Sequence, residues 1–312
     1  VNPELSAEAV EYGRTARRAL EAAGGDELVQ RAEAAAGGVH EAVAAVLGDL
    51  GAWDLDARSG GDELEAAAAL CRSAGWWAVP HPVAERLARP AGGVADALAV
   101  VADVAPAVWA PSPGLRWAAV ALDGRRSRAT PRAPAGPARK AAFVAPLDLE
   151  PIEHEGDGGA ADVPLALVLP CWTLLGMLDR AVDLTTAYVR DRHQFGQPLA
   201  SFQGVQFQLT DAETERVGLE ALAHHALWSA GVGGPDALVD ALALRLAALE
   251  AADVVFRVTH QLHGAIGFCD ETTLSWLSRY SLPLRRLPLG VSAVRDELSR
   301  RLGDRGLAGL FG

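Results

Sequence analysis

The chain has 312 residues, 50% of them hydrophobic and 6% aromatic, with 28 basic against 40 acidic residues and a formal charge of −12. That balance repels phosphate backbones and excludes nucleic acid as a main partner. Three widely separated cysteines, Cys71, Cys171 and Cys269, with no Cys-x-x-Cys pair, argue against a disulfide framework and a structural zinc site.

The length suggests roughly two domains and enough chain to bury a core without staples. The lone lysine, Lys140, sits in a Pro/Ala/Arg-rich stretch that reads as loop, so Schiff-base chemistry is not expected. Val1 to Glu11 is acidic and lacks a basic segment followed by an apolar one. The longest apolar run, Val163 to Leu178, is broken by Pro170 and reads as too short to span a bilayer. The expectation is a cytoplasmic protein with no membrane partner.

Four helices are predicted first: Glu8 to Ala22, Glu27 to Ala36, Val39 to Leu50 and Asp62 to Ala74, each stopped by glycine. From Trp76 to about Asp162 prolines cluster, and short apolar runs lie between them. Ala97–Ala102, Ala107–Ala110, Trp117–Leu122 and Ala141–Val144 read as strands, and helix is disfavoured there. Trp76 and Trp77 are expected to pack the first region against these strands. The acidic, Gly-rich His154 to Asp162 reads as a linker.

Helical periodicity then returns over Leu165–Asp191, Phe202–Ala230 and Asp236–Leu262, with shorter helices over Thr272–Ser281 and Ser292–Leu302. The fold class is therefore α+β, with an N-terminal helical domain (1–75), a small middle β domain (76–162) and a C-terminal up-down four-helix bundle (163–312). No Gly-x-Gly-x-x-Gly follows a strand, so no Rossmann site is supported.

Two segments carry chemistry. In the first, Arg190-Asp191-Arg192-His193-Gln194-Phe195-Gly196-Gln197-Pro198-Leu199, followed by Gln203, joins two long helices. Arg192 at a helix end offers a planar fork of donors for a pyrophosphate. Phe195 offers an apolar wall for a planar ring, and Gly196 with Pro198 makes a tight connection. In the second, Gln261-Leu262-His263-Gly264-Ala265-Ile266-Gly267-Phe268 closes a helix. Gln203 and Gln261 suit ribose or adenine edges, and Gly264 removes bulk where a dinucleotide approaches the backbone.

Both segments resemble the acyl-CoA dehydrogenase family, in which Arg-x-x-Phe-Gly-x-x-Leu and Gln-x-x-Gly-Gly-x-Gly-Phe occur in this order. The resemblance is specific over Leu165 to Arg301 and is compatible with the first 160 residues. It implies FAD as cofactor. Arg192, Gln194, Phe195, Leu199, Gln203, Gln261 and Gly264 would meet the ADP half of a flavin bound largely by a neighbouring subunit. The reaction it implies is α,β-desaturation of an acyl-CoA in lipid metabolism, with a carboxylate base taking the α proton and the flavin accepting the β hydride.

The sequence departs from that family where the base should be. Ungapped counting puts Pro288 at the usual Glu position and Ala166 at the minority position, so no catalytic residue is assigned. Asp296 and Glu297 are the nearest carboxylates that a gap could bring in. The middle region also lacks the family's Thr-Glu-Pro-x-x-Gly-Ser and Trp-x-Thr-x-Gly stretches, reading Val104 to Pro111 and Trp117 to Val120 instead. No metal site is expected: His224 and His225 point apart on a helix, while His260 and His263 lack a third ligand. Arg279, Arg285 and Arg286 read as a solvated or ion-paired face.

The expectation is a shortened, degenerate acyl-CoA dehydrogenase subunit working with a full-length catalytic partner in an α2β2 assembly of the actinobacterial type. Its substrate would be a bulky, steroid-type acyl-CoA, and an electron acceptor protein would take the electrons. Two other readings stay open. One is a self-sufficient homo-oligomeric dehydrogenase with a relocated base. The other is a structural or acyl-binding subunit without flavin.

Overall fold

The computed structural model describes residues 4–34, 39–132, 144–152 and 158–305. The N-terminal helices are α1 (Ala7–Ala22), α2 (Glu27–Ala34), α3 (Val39–Asp49), α4 (Gly61–Trp76) and the short α5 (Val83–Leu87). In α1, Ala9, Gly13, Ala16 and Leu20 recur at helical spacing and are buried, while the Ser6 hydroxyl caps the first turn by accepting from the Ala9 N–H.

A five-stranded sheet follows: β1 (Ala97–Val101), β2 (Ala107–Trp109), β3 (Trp117–Ala121), β4 (Arg126–Pro131) and β5 (Val144–Pro151), in the order β1-β3-β4-β5-β2. β1 and β3 run parallel, with Ala97 opposite Trp117, and the remaining pairs are antiparallel. Alternation divides β1 and β3 between two cores. Ala97, Ala99, Val101, Trp117 and Ala119 build a small satellite core, while Leu98, Val100, Ala118 and Val120 join the main one.

The bundle comprises α6 (Val163–Asp191), α7 (Gln203–Val232), α8 (Ala237–His263), α9 (Thr273–Arg286) and α10 (Val291–Arg305). The α+β order and the bundle agree with the sequence reading. The main core runs without a break from the N-terminal helices into the bundle. α4 and α6 touch backbone to backbone: a Cβ on Gly75 would lie 1.9 Å from the Thr173 carbonyl oxygen, and one on Gly176 would lie 1.9 Å from that of Arg72.

Several expectations need correction. Gly75 does not stop α4; it lies inside the helix as the point of close approach to α6. Proline does not exclude helix in the middle region, because Pro82 precedes α5 at its start, where no N–H is needed. β4 was not expected, since its arginines mask the alternation of a strand with one wet face. Trp76 and Trp77 pack on helices, not on the sheet: the Trp77 indole N–H donates to the Arg17 carbonyl, and the Arg17 guanidinium covers the Trp76 ring.

α6 is long and apolar enough by length and composition to cross a membrane, contrary to the run-length expectation, yet 89% of its most apolar window is buried inside the protein. Asp162 belongs to no loose linker: it is buried and pairs with Arg58 and Arg126. Lys140 and most of the expected strand Ala141–Val144 lie outside the described residues, as do 35–38 and 153–157.

Candidate functional site

The two motifs meet at one end of the bundle. α6 ends at Arg192, whose carbonyl accepts the Leu199 N–H at 2.8 Å and closes a small hairpin of His193–Gln194 against Gln197–Pro198. Its two-residue turn, Phe195-Gly196, has φ of 54° and 84°. Positive φ at both positions is the geometry that such a hairpin prefers, and it suits Asn-Gly far better than a bulky aromatic. Phe195 is nevertheless 90% exposed and touches Phe202 edge-on at 6.3 Å. Gln203 opens α7 beside it and is exposed.

α8 returns to the same end. Tyr188, one turn before Arg192, stacks on His263 at 4.4 Å. This fixes His263 in the core, with its Nδ1 2.9 Å from the Thr259 carbonyl. The next residue, Gly264, caps α8 at φ 66° and ψ −146°, a conformation open essentially to glycine alone, and nothing lies within 4 Å of where a Cβ would stand.

Gln261 and Gly264 line an open groove of about 450 Å³ together with Arg257, His260, Phe268 and Arg285. His260 and the exposed Phe268 stack at 4.3 Å along it. Leu199 packs partly buried against the core. Exposed Arg192, Gln194, Phe195, Gln203, Gln261 and Gly264 thus occupy one end of the bundle, and these donors and the open glycine fit the ADP half of a dinucleotide.

The residues at the two expected base positions also meet. Ala166 of α6 and Pro288 after α9 line one pocket, enclosed by Leu98 and Val100 of β1, Trp109 of β2, and α5. Neither side chain can move a proton. Asp296 and Glu297 do not line it, and Glu297 is held by Arg300 at 2.7 Å and Arg301 at 2.6 Å.

The carboxyl that does line it is Glu85 of α5, which the sequence reading missed; burial pushes it up to about 7. Arg245 of α8 lines the pocket as well, and its guanidinium donates to the carbonyls of Leu284 (2.5 Å), Leu287 (2.6 Å) and Leu289 (3.1 Å), pinning the chain on both sides of Pro288. The signal for Arg245 was a single charge inside the apolar run Leu242 to Leu249. The cavity is only about 40 Å³, room for roughly three waters. This space does not fit a tricyclic flavin ring with an acyl chain.

The remaining candidates have structural partners. His224 meets Trp172 edge-on at 5.1 Å, and His225 lies 3.6 Å from Asp240. Arg279 pairs with Asp270 at 2.8 Å, and Arg285 lies 3.7 Å from Asp253. Among the described residues no cluster of His, Cys, Asp and Glu could hold a metal ion.

Residues 168–299 match the family described as acyl-CoA dehydrogenase, C-terminal domain. The chain is 32% identical over 105 residues to the acryloyl-CoA reductase (NADH) of Anaerotignum propionicum, a stretch covering 34% of this chain and 26% of that protein. It is 34% identical over 115 residues to the acyl-CoA dehydrogenase IpdE2 of Mycolicibacterium smegmatis, covering 37% of this chain and 34% of that one. The matched stretch thus spans about a quarter to a third of these relatives. Similarity of fold extends further. A chain of the ChsE4-ChsE5 complex from Mycobacterium tuberculosis superposes with a TM-score of 0.78 at 18% identity, over 97% of this chain and 99% of that chain. A chain of the Tcur3481-Tcur3483 steroid ACAD variant superposes at 0.73 and 18% identity, over 96% and 98%.

Proposed function

We propose, from a fold that is acyl-CoA dehydrogenase-like and a bundle that matches that family's C-terminal domain, that this chain is a non-catalytic subunit of an FAD-dependent acyl-CoA dehydrogenase. It supplies contacts to the ADP half of a flavin whose ring and acyl-CoA are held by a full-length partner. One observation carries the reading: the bundle end presents exposed polar side chains and an open glycine along a groove, while the pocket at both base positions holds Ala166 and Pro288 and has little room. The two halves of a flavin site have parted company within one chain.

Bound FAD would accept the hydride that leaves the acyl β carbon. The work of this chain is to bind and orient. Arg192 meets the pyrophosphate with a charge-assisted fork, Gln194, Gln203 and Gln261 take ribose and adenine edges, and Phe195 covers an apolar face. Gly264 lets the nucleotide approach the backbone.

Assembly with a partner is supported by the outward side of α7, where Phe207, Val217, Leu222 and Trp228 are exposed; a run of large apolar side chains on a helix marks an interaction surface. A bulky, steroid-type acyl group and an α2β2 arrangement are proposed because the similar folds include a two-protein complex and a steroid ACAD. The little room at Ala166 and Pro288 weighs against a self-sufficient dehydrogenase.

The test is expression of this chain alone and together with candidate full-length acyl-CoA dehydrogenase partners. The expected result is a colourless chain alone, and one FAD per pair of chains with acyl-CoA turnover in the complex. A full FAD per chain with turnover by this chain alone would overturn the reading.

A further inference from the structure

We infer that α7 pairs antiparallel with α7 of a second copy of this chain, across a two-fold axis at Val217 and Gly218. The α2β2 arrangement proposed above contains two copies of this chain, and α7 is where they touch. The contact needs neither flavin nor the full-length partner, so its absence would leave the flavin reading standing.

The outward side of α7 (Gln203–Val232) carries a seam with a period of seven. Phe207, Thr214, Ala221 and Trp228 follow one another at that spacing, with Val217 and Gly218 between them, and all are exposed. Seven-residue spacing is the pattern of two long helices packed side by side at about 20°. Uncovered, it leaves large apolar side chains in water, with Phe207 60%, Val217 49% and Trp228 46% exposed.

The order of sizes along the seam identifies the occupant. Phe207 and Trp228 are equidistant from the midpoint of α7, which falls between Val217 and Gly218, and so are Thr214 and Ala221. An antiparallel copy therefore sets Phe207 against Trp228, Thr214 against Ala221, and Val217 against itself. That is the reciprocal pattern of a two-fold interface. Crossing helices lie closest at the crossing point and part towards their ends. Thr214, Gly218 and Ala221 keep the middle of the seam small, and the two aromatics stand where the gap widens.

The surroundings fit the same pairing. Beside Phe207, an open groove between α6 and α7, lined by Val182, Leu209, Thr210 and Val217, receives Trp228 of the second copy. Asp211 falls opposite His225 of the second copy, acid against imidazole, whereas a parallel pair would set Asp211 against Asp211. Glu215 stands at the edge of the seam, in water. With the flanking Leu222, the exposed seam offers on the order of 600 Å² per copy, which brings a pair to the size of a specific interface, about 1,200 Å² in total. The parting of the helix ends leaves Gln203 and the Phe195 hairpin open for the flavin.

The test uses the full chain without its partner, in a Cys269→Ser background that removes the exposed native thiol. Sedimentation at tens of micromolar should give twice the mass of one chain. Ala221→Arg, which puts a charge into the seam at an exposed helical position, should weaken the pair at least tenfold and leave the helical circular dichroism unchanged. Val217→Cys should cross-link to itself under mild oxidation, because both copies of that position meet at the axis. Val232→Cys should not, because its copies would stand about 40 Å apart along the paired helices. The pairing is overturned by a monomer at that concentration, by an Ala221→Arg chain that stays dimeric, by no cross-link at Val217→Cys, or by an equal one at Val232→Cys.

Discussion

Phe195 is held at a backbone angle that an aromatic side chain disfavours, and it recovers little from packing, being 90% exposed with one edge-on contact to Phe202. A left-handed conformation costs an L-residue about 1–2 kcal/mol, less for asparagine. Strain of this kind persists where a function uses it. Phe195→Asn should therefore raise the stability of the isolated chain by about 1 kcal/mol, read from the denaturant midpoint, and lower flavin retention in the complex. Equal flavin retention would remove Phe195 from the site. The residue type was legible in the motif; its strain was not, because φ is a property of the hairpin that closes between Arg192 and Leu199. Glu85 was illegible for a related reason. Nothing in Val83-Ala84-Glu85-Arg86-Leu87 marks a pocket until the fold brings α5 opposite Ala166 and Pro288.

At the scale of elements, the contact between α4 and α6 fixes how the N-terminal helices meet the bundle. Gly75 and Gly176 let two backbones approach where any Cβ would overlap a carbonyl. Beside them Arg72 of α4 and Arg216 of α7 both bond Asp179 of α6, at 2.6 Å and 2.9 Å, and the mutual support holds all three helices in register. Gly176→Ala should destabilise the chain by about 3 kcal/mol, since overpacking forces the helices apart. Gly218→Ala is the matched control, because nothing lies within 4 Å of its Cβ position. It should leave stability unchanged or raise it by up to about 1 kcal/mol. A similar response at both sites, in thermal or chemical unfolding, would contradict the close-approach account.

The long helices were legible because helix-forming residues run for many turns, in α7 even though Phe207, Val217, Leu222 and Trp228 on its exposed side blur the apolar period. Gly75 misled because a glycine near a helix end signals a stop as readily as a contact. β4 was lost because Arg126 turns to buried Asp162, Arg128 faces water and only Ala129 is a buried apolar residue, so too few apolar residues remain to show a period of two.

Across the whole molecule, the end of the bundle is open and polar, while the pocket at the opposite end of α6 is small. A net charge of −12 is compatible with a subunit that leaves most of the anionic CoA to a partner. The division of labour makes a directional claim: a change confined to this chain should act on a flavin whose ring lies in another. The direct measurement is the FAD-to-protein ratio of the purified complex in which only this chain carries Arg192→Ala. The complex should assemble as before and lose most of its flavin on gel filtration, with Arg192→Lys retaining an intermediate amount because a point charge replaces the planar fork. An unchanged flavin ratio in an intact Arg192→Ala complex would contradict it.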